Sequence, residues 1–538
     1  MRLPSTKTIA KRLQELWVDR GVRRGVAQMA GQVAEHSPSL PDIQPVIVFN
    51  ASTRLTRLSL NAAYGLLTGW ALRLQGIPVI HFVCQSAMTP CVLGTDRSRP
   101  EAVPPCMACV EESLTLYHRA EIRLFEETHD PELEQELERL DLDGLIDFTK
   151  CDIPLGQIVL PSLRWILRRH HLEPDAATLY FYRQYILSAW RVAEQFQSLV
   201  EEARPQAVVV FNGMFYPEAT ARWIARQRGI RVIAHEVALQ PTSAFFTEGE
   251  ATAYPIEIPA DFGLSAEQNA RLDAYLVQRF HGNFSMAGIR FWPEIRSLGD
   301  DFWERAGKFK QIVPVFTNVV FDTSQGHANV IFSDMFAWLD AVREAIRAHP
   351  ETFFVIRAHP DESRPGKESR ESVRDWVLKN RVNEEPNVLF VDAQEYFSSY
   401  ELIQRSKFVM IYNSTIGLEA AILGLPVLSG GKARFTRQPV VYLPRDSADF
   451  RARLEEFLGA GRVEAPAEFR SNARRFLYYQ LFRTSLPFGQ YLEEDGVWRG
   501  FVRLKRFAWT DLLPENSATM RVILEGILMG KPFLLEED

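Results

Sequence analysis

The apolar positions of this chain fall into short runs separated by amphipathic stretches, and that alternation predicts parallel β/α architecture twice over. Near the start, Pro45–Phe49 reads as a buried strand, Ser59–Leu74 as a helix and Pro78–Val83 as a second strand. Trp165–His171 and Tyr180–Glu202 read as helices. A further strand, helix and strand follow at Ala207–Phe211, Pro217–Arg228 and Arg231–His235. Residues 119–145 read as an acidic, solvated helical stretch, and residues 240–305 are less regular. Strict alternation then resumes: strands at Ile312–Phe316, Thr352–Arg357 and Val388–Val391 are each followed by a helix, at Phe332–His349, Ser369–Lys379 and Ser399–Arg405. The pattern predicts an α/β protein with two Rossmann-like, doubly wound domains and a helical C-terminal tail. The expected divisions are 1–300, 301–467 and 468–538, the tail returning across the domain boundary.

The best-marked stretch is Phe408–Leu428. Phe408–Tyr412 has the length of a buried strand, Asn413, Ser414 and Thr415 can accept hydrogen bonds from the amides of a helix start, and Ile416–Leu423 is apolar almost all round. Gly424 supplies the left-handed position that ends the helix before Pro426. Amides, dipole and two hydroxyls at the helix start suit a phosphate; the plainer alternative is an N-cap before a core helix. Glu419, in an otherwise apolar helix, requires a polar partner.

Composition changes this picture little. The chain has 538 residues, 46% of them hydrophobic and 24% charged, with a net charge of −7, values of an ordinary folded protein and no reason to bind nucleic acid. No signal-peptide pattern or spanning segment is read in the sequence, so the cytoplasm is the expected compartment. Residues 1–26 carry seven Lys or Arg against two acidic residues, with Ile9, Leu13, Leu16 and Trp17 at helical spacing. Such a basic amphipathic helix either docks on the protein's own core or attaches peripherally to the inner face of an anionic membrane, through Lys11, Arg12, Arg20, Arg23 and Arg24.

Four of the five cysteines cluster, at Cys84, Cys91, Cys106 and Cys109, spaced C-x6-C-x14-C-x2-C. Four thiolates could enclose a structural zinc or an iron–sulfur centre, with buried free thiols as the alternative. The strand ends supply the other chemistry: Asn212, Gly213, His235 and Glu236 in the first half, and Asp322, Arg357, His359, Asp392 and Ser414 in the second. Parallel sheets bind ligands at that edge. Asp141-Leu142-Asp143 has a DxD form, but its acidic surroundings read as a solvated face. In the tail, Arg474, Arg475, Tyr478, Tyr479, Phe482 and Arg483 interleave charge and aromatics, a pattern that packs a returning helix more often than it stacks sugars.

With RAHP at Arg357–Pro360, NSTIGLEA at Asn413–Ala420 and LGLPVL at Leu423–Leu428, the second half resembles the GT-B glycosyltransferases, and among them the capsule polysaccharide biosynthesis family that includes Kdo transferases. The resemblance is clearest over about residues 312–460. It also extends to CDP-glycerol polymerases and bacterial polysialyltransferases. It implies two domains facing a cleft, a nucleotide-sugar donor, a glycan or glycolipid acceptor, and transfer that requires no metal. It puts His359 on the donor phosphate or nucleotide, with Arg357 in the same turn, Asn413, Ser414 and Thr415 around the phosphate, and Glu419 on the ribose or base. The catalytic base is expected from Glu236, then Asp322. Two rivals share the motifs: a sugar-nucleotide 2-epimerase, and a non-catalytic nucleotide-sugar binding scaffold.

Overall fold

The computed structural model describes residues 6–53, 56–88, 90–280, 296–498 and 500–536, and the side chains from Arg12 onward except Leu13. The chain forms two compact units, Met1–Ile166 with Glu173–Thr252 and Leu481–Asp538, and Leu167–Leu172 with Ala253–Gln480. The divisions read from periodicity lay near 300 and 467 instead. The helix Ala266–Phe280, within the stretch that looked irregular, belongs to the second unit, and only the tail from Leu481 belongs to the first.

In chain order, the first unit holds β1 (Val46–Phe49), β2 (Val79–Gln85), β3 (Glu121–Glu126), β4 (Ala207–Phe211), β5 (Arg231–Val237) and β6 (Ser243–Glu248). The second holds β7 (Gln311–Phe316), β8 (Thr352–Arg357), β9 (Val388–Val391), β10 (Val409–Ile411) and β11 (Val427–Ser429). The tail returns β12 (Leu486–Pro487) to the first sheet and adds a small hairpin of β13 (Leu492–Glu494) and β14 (Val502–Leu504). It is therefore helical at its two ends, Ala467–Tyr478 and Ala518–Met529, with strands between.

The second sheet runs β11-β10-β7-β8-β9, parallel throughout. The first runs β12-β6-β5-β4-β1-β2-β3, its five strands β1 to β5 parallel in the same winding order, with β6 antiparallel to β5 and β12 antiparallel to β6. Each sheet thus reverses its winding at one point, between β1 and β4 and between β7 and β10. Crossover connections on either side leave the loop ends apart there, which is where doubly wound sheets take ligands.

β3 was read as part of an acidic helix. Its sequence, EIRLFE, exposes most of its side chains at a sheet edge, so charge masks the strand pattern. Asp141 of the DxD segment caps a short helix, its Oδ1 accepting the Gly144 amide at 2.9 Å. The N-terminal helix Thr6–His36 docks in the first unit through Val18, Val22, Val26, Met29 and Val33, while Leu16 and Trp17 are exposed. The buried stripe therefore starts later than the one read from the sequence; the side chains of Ile9, Lys11 and Leu13 lie outside the described residues. Arg23 pairs with Glu111 and Glu112. No helix among the described residues is long and apolar enough to cross a membrane.

Candidate functional site

Strand register decides which residues meet at the second reversal point. Phe316 lies opposite Ile411 on one side and Arg357 on the other. Continued two residues past the strand ends, the same register aligns Asn413, Asn318 and His359. The Asn318 Nδ2 donates to Asn413 Oδ1 at 2.7 Å, closing the row on the β10 side. Asn318 ends a predicted strand but was not singled out; its place opposite Asn413 could have been found only from the strand order.

His359 opens the turn Pro360–Ser363, and its Nδ1 accepts the Asp361 amide at 3.2 Å. That bond leaves the ring's proton on Nε2. Burial, outweighing the Asp361 and Asp322 charges, holds its pKa below the usual histidine value, so the ring is a neutral donor through Nε2. Asp322 is exposed, and its Oδ1 is held by the Ser324 amide and hydroxyl at 2.8 and 2.6 Å.

The helix Ile416–Ile422 is buried from Gly417 onward and ends at Gly424, φ +88°, as expected. Its start differs from expectation. Thr415 takes the capping position with helical backbone angles and makes no side-chain capping bond, and the Asn413 oxygen serves Asn318 instead. Gly417 is required by packing, since a Cβ there would lie 2.4 Å from the Ile411 side chain.

Two residues assigned to the ligand by resemblance are occupied elsewhere. Arg357 is 5% exposed and its Nη1 donates to the Phe397 carbonyl at 2.6 Å; burial lowers its pKa to about 10. Glu419 finds the partners its sequence context demanded: Arg279 donates through Nε and Nη2 to Oε1 at 2.8 and 2.5 Å, and Tyr400 to Oε2 at 2.5 Å. Both members of the pair are buried, and the pair ties this helix to the helix Ala266–Phe280. Arg279 and Tyr400 carried no signal of this role in the sequence. Asp392 is likewise engaged, with Arg374 at 2.5 Å and the Ala393 amide at 2.6 Å. Arg474 and Arg475 bond Asn269, Asp273 and the Pro259 carbonyl, the packing role expected for the tail's basic and aromatic residues.

A second polar cluster lies in the same unit. His171 places Nδ1 2.6 Å from Glu371 and Nε2 3.4 Å from Asp334, and these two carboxylates raise its pKa to about 10. Among the described residues, His170, His171 and Asp334 are the group with metal-ligand proximity, yet both ring nitrogens of His171 already face carboxylates. The arrangement is that of an ion-paired imidazolium.

At the reversal point of the first unit, Asn212 is left-handed at φ +59° and its Nδ2 donates to Glu236 Oε2 at 2.8 Å. Glu236 Oε1 accepts from the Val237 amide at 2.9 Å and Asn61 at 3.3 Å. Both oxygens accept hydrogen bonds, which orients the carboxylate. His235 is buried, its Nε2 3.3 Å from Asn50 Oδ1, and burial lowers its pKa to about 3. Glu218, unremarked in the sequence, is fully buried and holds the loop after β1 through the Ser52 amide and hydroxyl at 2.6 and 2.7 Å. Burial raises its pKa to about 7.

Comparison with known proteins gives a family match over residues 291–443, to the family described as capsule polysaccharide biosynthesis protein. The resemblance carried by the Arg357–Pro360 and Asn413–Leu428 motifs is borne out over that segment. Protein FixF of Sinorhizobium fredii (strain NBRC 101917 / NGR234) is 27% identical over 251 residues, 46% of this chain; the match spans about half of that relative, 54% of its length. Among solved structures, the Thermosulfurimonas dismutans KpsC beta Kdo 2,4 transferase aligns at 14% identity and TM-score 0.33 over 52% of this chain and 80% of its own. The UDP-GlcNAc 2-epimerase from Neisseria meningitidis bound to UDP-GlcNAc aligns at 11% identity and TM-score 0.24 over 81% and 99%. Overlaps this shallow carry no argument about activity.

Proposed function

We propose that this protein is a glycosyltransferase that moves a sugar from a nucleotide-sugar donor to a surface or capsular polysaccharide or its lipid-linked acceptor, working in the cytoplasm. The carrying observation is the row His359, Asn318 and Asn413 at the reversal point of the second sheet, inside the segment that matches the capsule family. In this reading His359 donates its Nε2 proton in a hydrogen bond to a phosphate oxygen of the donor. The Ser414 and Thr415 hydroxyls, at the foot of the next helix, bond the neighbouring oxygens. As the glycosidic bond breaks, the leaving phosphate gains negative charge, so donors fixed at that place stabilise the transition state more than the ground state. No metal enters this step. Glu236 and Asp322 remain the two base candidates; both carboxylates already accept hydrogen bonds, and Asp322 is the more exposed.

His359→Ala and Ser414→Ala are each expected to weaken donor turnover by about 1–3 kcal/mol in transition-state terms, the scale of a lost hydrogen bond to a charged group. Ser414→Ala should leave the melting temperature nearly unchanged, since Thr415 takes the capping position and makes no side-chain bond there. A thermal-shift screen with CMP, CDP, UDP, GDP and their sugars identifies the donor class, because a bound ligand stabilises the folded state by mass action. Unchanged kinetics in both variants would overturn the reading.

A further inference from the structure

The four clustered cysteines are not absorbed by the transfer chemistry, and the structure brings them together. Cys84 lies near the end of β2, Cys91 in the loop after it, and Cys106 and Cys109 on the first turn of the helix Cys106–Leu116. All four line one cavity of about 250 Å³ in the first unit, whose lining includes Asn50, Phe82, Met88, Pro104 and Tyr117. None is in a disulfide.

The local backbone is arranged for thiolates. The amides of Ala87 and Met88 point at the Cys84 sulfur, and those of Leu93 and Gly94 at the Cys91 sulfur, the last at 3.2 Å. Amide donors two to four residues beyond a cysteine stabilise the anion, not the thiol. Gly94 permits this approach: a Cβ there would fall 2.5 Å from Pro104 and 3.2 Å from the Cys91 sulfur. Amides aimed at clustered sulfurs favour the thiolate form that a cationic centre in the cavity requires.

Spacing selects the kind of centre. One tetrahedral zinc at ~2.3 Å from each sulfur needs the sulfurs about 3.8 Å apart. Among the described residues, no three of these ligand atoms lie within 4.8 Å of one another. The sulfurs stand around a cavity rather than about a point. We infer that Cys84, Cys91, Cys106 and Cys109 ligate a polynuclear iron–sulfur cluster that fastens the end of β2 and the loop after it to the helix Cys106–Leu116. Ligation replaces each S–H bond by an S–Fe bond and releases the proton to solvent.

The test is analysis of the full-length protein purified without oxygen. The expected result is iron and acid-labile sulfide in equal amounts, about four of each per chain, with a broad visible absorption that dithionite bleaches. Cys106→Ser and Cys109→Ser should each lose most of that absorption and iron, and Cys151→Ser, at an exposed cysteine outside the cavity, should keep both. The measurement on the unaltered protein stands even if a variant fails to fold. One equivalent of zinc with no sulfide would overturn the cluster in favour of a mononuclear site. Less than about a tenth of an equivalent of any metal, with all four thiols titratable, would leave buried thiols.

Discussion

The two sheets share a winding order, yet the rows of residues at their reversal points differ in kind. Continuing the register of the first sheet, Cys84, Ala51, Asn212 and Glu236 form a row at the ends of β2, β1, β4 and β5. In the second, the strands that correspond to β2, β1 and β4 place His359, Asn318 and Asn413. The first row is internally bonded: Asn212 is buried and tied to Glu236, and the neighbouring loop is held by a buried Glu218. In the second, Asn318 and Asn413 bond each other, while His359 keeps an Nε2 proton to offer. Identical topology thus supplies the place for a ligand, while hydrogen-bond saturation decides which edge can take one. By this measure the second edge keeps the free hydrogen-bond donor that the proposed donor site requires.

The largest expected effect tests whether the second unit's Glu419 is an anchor. Arg279→Met leaves a buried carboxylate without its cation and is expected to destabilise the unit by about 3–5 kcal/mol. Adding Glu419→Gln should recover much of that loss, because an uncharged amide needs no cation. Denaturant unfolding of both variants measures this. If Glu419→Gln alone instead left stability intact and raised the KM for donor, the carboxylate would belong to the ligand and the contrast between saturated and open groups would fail.

A middle-sized effect separates the two asparagines that end equivalent strands. Asn212→Ala removes a hydrogen bond from a half-buried carboxylate and forces alanine into a left-handed backbone, and is expected to cost about 2–3 kcal/mol of stability. Asn413→Ala, on a half-exposed turn, should cost under about 1 kcal/mol and appear mainly as slower donor turnover. Melting and steady-state kinetics on the pair test this; equal stability losses would make the two edges alike.

What the sequence disclosed follows the same division. Ala207–Phe211, Thr352–Arg357 and Val388–Val391 were placed to the residue because buried parallel strands are continuous apolar runs bounded by polar turns. β3 was lost because an edge strand carries charge, and β12 because two residues make no pattern. The phosphate-site candidates were legible as strand ends, but periodicity does not disclose which ends are already bonded. Arg357 and Glu419 looked available and are not; their partners, Phe397 and Arg279, lie 40 and 140 residues away. The unit boundary was missed for a related reason, since membership of Ala266–Phe280 is set by tertiary contacts such as Arg279 with Glu419 and Arg474 with Asp273.

The smallest effect per measured step, one pH unit at a time, compares two buried carboxyls, one beside each edge. Glu218 holds the loop after β1, and Glu362 accepts the Val373 amide at the start of the helix Val373–Lys379. Burial raises Glu218 to about 7 and Glu362 to about 8, from an ordinary value of 4.5. With folded values above the unfolded one, the folded protein binds more protons between pH 4.5 and those values, so stability falls as pH rises through the window. Each group contributes at most about 1.4 kcal/mol per pH unit. Glu218→Gln should flatten the loss between about pH 5 and 7, and Glu362→Gln between about pH 5 and 8. His171 acts at higher pH: raised to about 10 by Asp334 and Glu371, its contribution is complete below about 6.5 and vanishes as pH climbs through 10. Unfolding free energies of the wild type and both glutamine variants at pH 5, 6, 7 and 8 separate the two carboxyls. The difference in their windows sharpens the comparison, because only Glu362 lies in the unit assigned to the donor. If donor binding tightens the packing around it, saturating nucleotide sugar should move the Glu362 step toward higher pH and leave the Glu218 step where it is; movement of the Glu218 step alone would place the donor on the other edge.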